Sequence, residues 1–233
     1  MKLVSKIAIV TGASRGLGLA IAKALVLKNV KVYGISRNQK DLLNLKKQLG
    51  SLFIPVEMNI TDQKKISEWI KEEFSEENAP DILINNAGTG QFAKIDELSM
   101  EKWHQMIQTN LSAVFYLTSA VTPFMKSKKG SCHIINIGSI LGKTSGSEKS
   151  AYSATKYAIQ GFSEALFKEL RGFDIKVSCI NPGSIETSFF EESGIEANER
   201  MLKPDDVAAT IVHVLETPDN VLIDELTLRP LKP

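Results

Sequence analysis

The stretch SAYSATKYAIQGFSEAL, residues 150–166, puts a tyrosine and a lysine one helical turn apart on the stripe that should be buried. Tyr152, Lys156, Ile159, Ser163, Leu166 and Leu170 share that stripe, and its lower half is apolar and reads as core. A phenol and an ammonium are costly to bury without partners. Either both reach water at the helix start, or they line a site. In a site the pair has a use. A free phenol ionises near pH 10, roughly, and is a poor base at neutral pH, whereas a nearby ammonium stabilises phenolate. The pair then acts as a proton donor and acceptor tuned toward working pH. Ser139, in NIGSI just past an apolar run, can hydrogen-bond the same substrate oxygen. Taken singly, each residue has a plainer reading: a tyrosine capping the core, a snorkelling lysine, a serine in a turn. Tyr157 lies about 100° off the stripe and is assigned to packing or an interface.

The elements that must hold these residues are legible as an alternation. Short β-branched runs (KIAIV, VKVYGI, LFIPVEM, DILINNAG, SCHIINIGS, IKVSCINPG and NVLIDELTL) alternate with helical stretches. The helices are expected over 16–28, QKDLLNLKKQL closed by Gly50, DQKKISEWIKEEF, about 99–126, the Tyr152 helix, and KPDDVAATIVHVLETP. This predicts an α/β fold: one doubly wound Rossmann domain over residues 1–233, with about seven parallel strands and helices on both faces. The longest irregular segment runs from Ser184 to Lys203, a length usually reserved for function.

TGASRGLG sits where the first strand meets the first helix. Gly12, Gly16 and Gly18 let the backbone turn tightly and approach a ligand, and the helix start that follows suits a pyrophosphate. The spacing differs from G-x-G-x-x-G, so its place between strand and helix carries the reading. At the end of the second strand, VYGISRN offers Ser36 and Arg37 where an NAD-binding fold would carry an acid. Arg15 adds a second guanidinium. Two arginines suit a 2′-phosphate, which favours NADP(H) over NAD(H); the alternative is that both are solvated surface charges. NNAG (Asn85 to Gly88) and NPG (Asn181 to Gly183) end later strands, where the ligand crevice of such a sheet lies.

With these motifs in order, the chain resembles the short-chain dehydrogenases/reductases over nearly its whole length. The resemblance rests on TGASRGLG, NNAG, TNLSAVF with Asn110, Ser139, YSATK and NPGSIET. It implies hydride transfer between nicotinamide and a carbonyl or carbinol carbon. Tyr152 would be the acid/base, Ser139 the donor that orients the carbonyl, and Lys156 the group that lowers the tyrosine's pKa and holds the ribose. Asn110 would support a water-linked proton relay through its local backbone. The implied cofactor contacts run over Gly12, Ser14, Arg15, Gly16, Leu17 and Gly18, then Ser36, Arg37 and Asn38, then Asn59 and Ile60. They continue through Asn86, Ala87 and Gly88, Tyr152 and Lys156, and Pro182, Gly183, Ile185 and Thr187. Asn59 is a departure, since the family commonly has an Asp there to bind the adenine amine. The ending VLIDELTLRPLKP lacks the glycine-rich tail of 3-oxoacyl reductases and looks more like the family's NADP-dependent 3-hydroxy-acid and serine dehydrogenases.

Composition narrows the partners. Lys plus Arg number 28 against 27 acids, so no charge excess points to nucleic acid or an anionic membrane. Ser5 and Lys6 interrupt the leading apolar run, no run is long enough to span a bilayer, and Cys132 and Cys179 are isolated thiols. A cytoplasmic protein is expected. His104, His133 and His213 have no ligand spacing, so no metal is expected. The substrate is read as a small carbonyl or alcohol. Phe189 and Phe190 either close over it or pin their loop, and Glu191, Glu192, Glu196 and Glu199 form a solvated face. No cluster of Lys or Arg marks a pocket for an anionic substrate. Phe115, Tyr116, Phe162 and Phe167 lie off their helices' core faces and suggest a homodimer or homotetramer. The competing readings are a 3-oxoacyl-carrier reductase, a non-catalytic NADP(H) sensor, and a structural Rossmann subunit.

Overall fold

The apolar runs form strands whose alternate residues enter two different cores, which is why they read as almost continuously hydrophobic. The computed structural model describes residues 1–189, 198 and 200–231. The strands are β1 (Ile7–Thr11), β2 (Lys31–Ser36), β3 (Phe53–Glu57), β4 (Ile82–Asn85), β5 (Cys132–Ile137), β6 (Ile175–Pro182) and β7 (Glu225–Leu228). They make a 7-stranded sheet in the order β3-β2-β1-β4-β5-β6-β7, with every pairing parallel. The order reverses between β1 and β4, so a crevice opens at the carboxyl ends of those strands.

The helices are α1 (Gly16–Leu27), α2 (Gln39–Leu49), α3 (Gln63–Glu73), α4 (Met100–Ile107), α5 (Ala113–Ser127), α6 (Ser150–Leu170) and α7 (Pro204–Glu216). Ala8 and Val10 of β1, Val32, Ile84, Ile135 and Ile180 pack with Ile21 and Leu25 of α1, Leu42 of α2, and Ile211 and Leu215 of α7. Ile9, Tyr33, Leu83, Ile134 and Val177 point the other way, onto Ile66 and Ile70 of α3, Val121 of α5 and Leu166 of α6. Pro55 is tolerated in β3 because that strand is an edge, where a missing N–H breaks no second ladder.

Two elements differ from the sequence reading. The helix expected over about 99–126 is divided by a π turn, Gln108–Ser112, between α4 and α5. Asn110 lies in that turn, and its side chain ties it to the loop after β4 and to α6. The closing strand is shorter than NVLIDELTL, covering only Glu225–Leu228. At the opposite end of the sheet from the crevice, Asp81 accepts from Ile7 N (2.8 Å) and pairs with Lys6 (2.8 Å) and Lys128 (2.9 Å). Among the described residues, no helix is long and apolar enough to cross a membrane.

Candidate active site

The crevice holds a cavity of about 610 Å³. One end is built from the glycine turn. Gly12 (φ +68) and Gly16 (φ +54) adopt the left-handed backbone that a side chain would strain. A Cβ on Gly18 would overlap the Gly12 carbonyl and lie 2.5 Å from Asn86 Nδ2. The turn is stitched to the end of β4. Thr11 Oγ1 accepts from Asn86 N (3.0 Å) and Ala87 N (2.9 Å), and Asn86 Nδ2 donates to Thr11 O (2.9 Å). Arg15, the N-cap residue of α1, makes no side-chain capping hydrogen bond, and the helix's leading amides suit an anionic ligand. Ser36 Oγ donates to Ser14 Oγ (2.8 Å) and joins the ends of β2 and the glycine turn. Arg15 and Arg37, both exposed, line the cavity beside them.

The other end is the reactive one. Tyr152 is 7% exposed and Lys156 is 5% exposed, yet both line the cavity, so the pair does not simply reach bulk water. Phe92 and Phe189 flank the phenol ring at centroid distances of 5.6 and 5.9 Å. Lys156 Nζ donates to Ile137 O (2.8 Å) and lies 5.7 Å from the Tyr152 ring centroid. Ser139 Oγ accepts from Leu141 N (3.1 Å), which leaves its own proton to donate into the cavity.

Burial sets the ionisation of both groups. It pushes the Tyr152 phenol well above its ordinary value, with a hydrogen bond from Ser139 opposing, and it pushes the Lys156 ammonium down to about 8. The expected depression of the phenol by Lys156 is therefore absent here. Burial of the phenol is the larger effect, and the Ser139 hydrogen bond opposes it only in part.

A polar chain supports Ser139 from behind. Its N–H donates to Asn181 Oδ1 (3.2 Å), Asn181 Nδ2 donates to Gln160 Oε1 (3.0 Å), and Gln160 Nε2 donates to Glu225 Oε2 (2.6 Å). Lys143 pairs with the other oxygen of Glu225. Gln160 and Glu225 were invisible as site residues in the sequence, because the chain joins α6, β6 and β7.

All the residues named in the sequence as catalytic or cofactor contacts line the cavity except Asn38 and Asn110, while Asn85 and Asn181 of NNAG and NPG lie behind its wall. The Asn38 side chain accepts from Asp41 N and caps α2. Asn110 is 1% exposed; its Oδ1 accepts from Thr89 N (2.8 Å), and its Nδ2 donates to Thr89 O (2.8 Å) and Thr155 Oγ1 (3.1 Å). Asn59 lines the cavity with its Oδ1 accepting from Thr61 N (3.2 Å). At the reactive end the cavity gains Phe92, Gln105, Gln108, Leu141, Lys149 and Ser188, which no motif marked. Lys149 alone carried a signal, as the residue one turn before Tyr152. Phe190, Glu191, Glu192, Glu196 and Glu199 lie outside the described residues.

The cavity suits a dinucleotide. Its glycine cradle closes where a Cβ would intrude, and its lining carries Arg15, Arg37, Lys149 and Lys156 but, among the described residues, no Asp or Glu. The family described as short chain dehydrogenase matches residues 6–198. An uncharacterized oxidoreductase of Staphylococcus epidermidis is 33% identical over 231 residues, covering 99% of each chain. Among solved structures, the closed form of a serine dehydrogenase complexed with NADP+ is similar with a TM-score of 0.88 and 31% identity, over 95% of this chain and 94% of that one. A metagenomic short-chain oxidoreductase in complex with NADP is similar with a TM-score of 0.85 and 27% identity, over 100% of both. The chain belongs to the short-chain dehydrogenase/reductase family and is an oxidoreductase of it.

Proposed function

We propose that this protein interconverts a carbonyl and a secondary alcohol on a small substrate, using NADP(H). The observation that carries the proposal is the buried cluster of Tyr152, Ser139 and Lys156 on the wall of a cavity whose far end is a glycine cradle flanked by arginines. When bound, the dinucleotide supplies the hydride to the carbonyl carbon. Ser139 donates to the carbonyl oxygen, and the backbone of Leu141 keeps its hydroxyl oriented for that task. Tyr152 then gives its proton to the same oxygen. The phenol is protonated at neutral pH, which is the form that reduction requires. Lys156, anchored on the Ile137 carbonyl, stands behind Tyr152 to hold the ribose hydroxyls.

The preference for NADP(H) is supported by Arg15 and Arg37, which line the cavity at the end of β2 where no acid occurs. It is also supported by the NADP+ and NADP of the two solved relatives. The free thiols Cys132 and Cys179, both buried, fit a reducing compartment and hence the cytoplasm. Phe115 and Tyr157 are exposed and fit assembly into a homodimer or homotetramer of chains that each fold as one domain over residues 1–233, whereas Tyr116, Phe162 and Phe167, expected off the core faces, pack against the core.

The test is NADPH oxidation with a panel of ketones and aldehydes, comparing wild type with Tyr152→Phe. Wild type should reduce members of the panel, while Tyr152→Phe should bind NADPH and lose turnover by at least about a hundredfold. Binding of NADPH with no carbonyl turned over by wild type would replace the enzyme reading with that of a dinucleotide sensor.

A further inference from the structure

The geometry points to Glu225, on β7 and outside the reactive cavity, as a positioning residue for Ser139, a role that rests on the carbonyl/alcohol chemistry proposed above. Two lines run from its carboxylate to the segment that carries the serine. The inner line is the polar chain already described: Oε2 accepts from Gln160 Nε2 (2.6 Å), Gln160 Oε1 from Asn181 Nδ2 (3.0 Å), and Asn181 Oδ1 from Ser139 N (3.2 Å). The outer line is the ion pair of Oε1 with Lys143, the residue that closes the tight turn Ile140–Gly142 directly after Ser139. The serine and its turn therefore hang between two anchors on one side chain.

The chemistry of the two ends fixes the inner line. A backbone N–H only donates and a carboxylate only accepts, so each amide between them has one workable orientation. The fit is close, because Asn181 is fully buried and a Cβ on Gly138 would lie 2.0 Å from its Oδ1. A carboxylate also gives two acceptor oxygens, one for each line. Glutamine has the same shape but a single acceptor, so it can satisfy Gln160 or Lys143 and not both. The consequence reaches the reacting group through the turn. Ser139 Oγ accepts from Leu141 N (3.1 Å), so the hydroxyl is aimed by the same backbone that Glu225 holds. A displacement of about 1 Å at such a group can cost about a hundredfold in rate. The side chains of Lys143 and Glu225 are 39% and 29% exposed, where an ion pair adds little to global stability, so its loss should be read in turnover before it is read in folding.

The test follows NADPH oxidation with a ketone that wild type reduces, in Glu225→Gln, Glu225→Leu and Lys143→Met. Glu225→Gln should lower kcat by about 3- to 10-fold and Glu225→Leu by about 10- to 100-fold, while the Kd for NADPH stays within about twofold of wild type. Lys143→Met should match Glu225→Gln, and in a Glu225→Leu background it should change nothing further, since its line is already cut. Hydrogen exchange of the Ser139 amide, followed by NMR, reads the brace without turnover. It should quicken by at least about tenfold in Glu225→Leu while the amides of β1 keep their rates. Quickened exchange in a protein whose wild type reduces no carbonyl would leave the brace standing and remove the proposed chemistry. An unchanged kcat or an unchanged Ser139 exchange rate in Glu225→Leu, or a loss shared equally by NADPH binding, overturns the inference.

Discussion

Replacing Lys156 by methionine should make the protein more stable at pH 7 while removing its activity. The reasoning starts from burial. Lys156 is 5% exposed, its Nζ donates to Ile137 O at 2.8 Å, and desolvation brings it from 10.5 to about 8. At about 1.4 kcal/mol per pH unit, that displacement corresponds to about 3 kcal/mol of cost for holding the charged form in the fold. Methionine fills most of the same volume without the charge, and it leaves the Ile137 carbonyl without a donor, a loss of about 1–2 kcal/mol. The net gain at pH 7 is about 1–2 kcal/mol, or a rise of about 2–8 °C in Tm for a chain of this size. The pH dependence follows from the sign. Between about 8 and 10.5 the unfolded lysine holds a proton that the folded one has released, so wild-type stability gains with rising pH while the variant has no such term. The advantage of Lys156→Met should therefore shrink by about 3 kcal/mol across that window and reverse at its upper end. Cys179, pushed up to about 11, and Tyr152, pushed higher still, are present in both proteins and cancel to first order. Thermal melts of the two proteins from pH 7 to pH 10.5 measure the difference directly. A variant that is less stable at pH 7, with a gap that does not change with pH, would refute the claim that the fold bears the cost of this ammonium.

Two further outcomes are expected at the other end of the cavity. Arg37→Ala should weaken NADPH binding by about 10- to 100-fold and NADH binding far less, because a charged hydrogen-bond partner is worth about 1.5–3 kcal/mol; equal effects on the two cofactors in fluorescence titrations would remove the 2′-phosphate role. Gly18→Ala drives a Cβ into the Gly12 carbonyl and the Asn86 amide, which are held to each other through Thr11 and cannot part cheaply. It should cost about 1–3 kcal/mol of stability and weaken both cofactors together, as read by melting and titration. A protein that melts and binds like wild type would show that the turn is looser than its hydrogen bonds imply.

The sequence alone determined the strand-and-helix alternation, the glycine turn and the spacing of Tyr152 and Lys156, because each of these is a local periodicity or a backbone requirement within a few residues. From the same local signals came the parallel sheet and the placing of NNAG and NPG at its carboxyl edge. Only the tertiary structure decided which residues back that edge. The π turn around Asn110 exists because a loop after β4 and a helix far along the chain both hydrogen-bond to one amide. Ser139 is braced through Asn181 and Gln160 to Glu225, a path across α6, β6 and β7 that no spacing encodes. The expected depression of the Tyr152 phenol gave way to elevation because desolvation depends on everything packed around a group, which spacing along the chain does not carry. Lys149 reads as one more surface lysine until the fold sets it in the cavity wall among neutral and cationic neighbours. Charge and burial are sums over three-dimensional surroundings, and a linear chain carries them only after it has closed on itself.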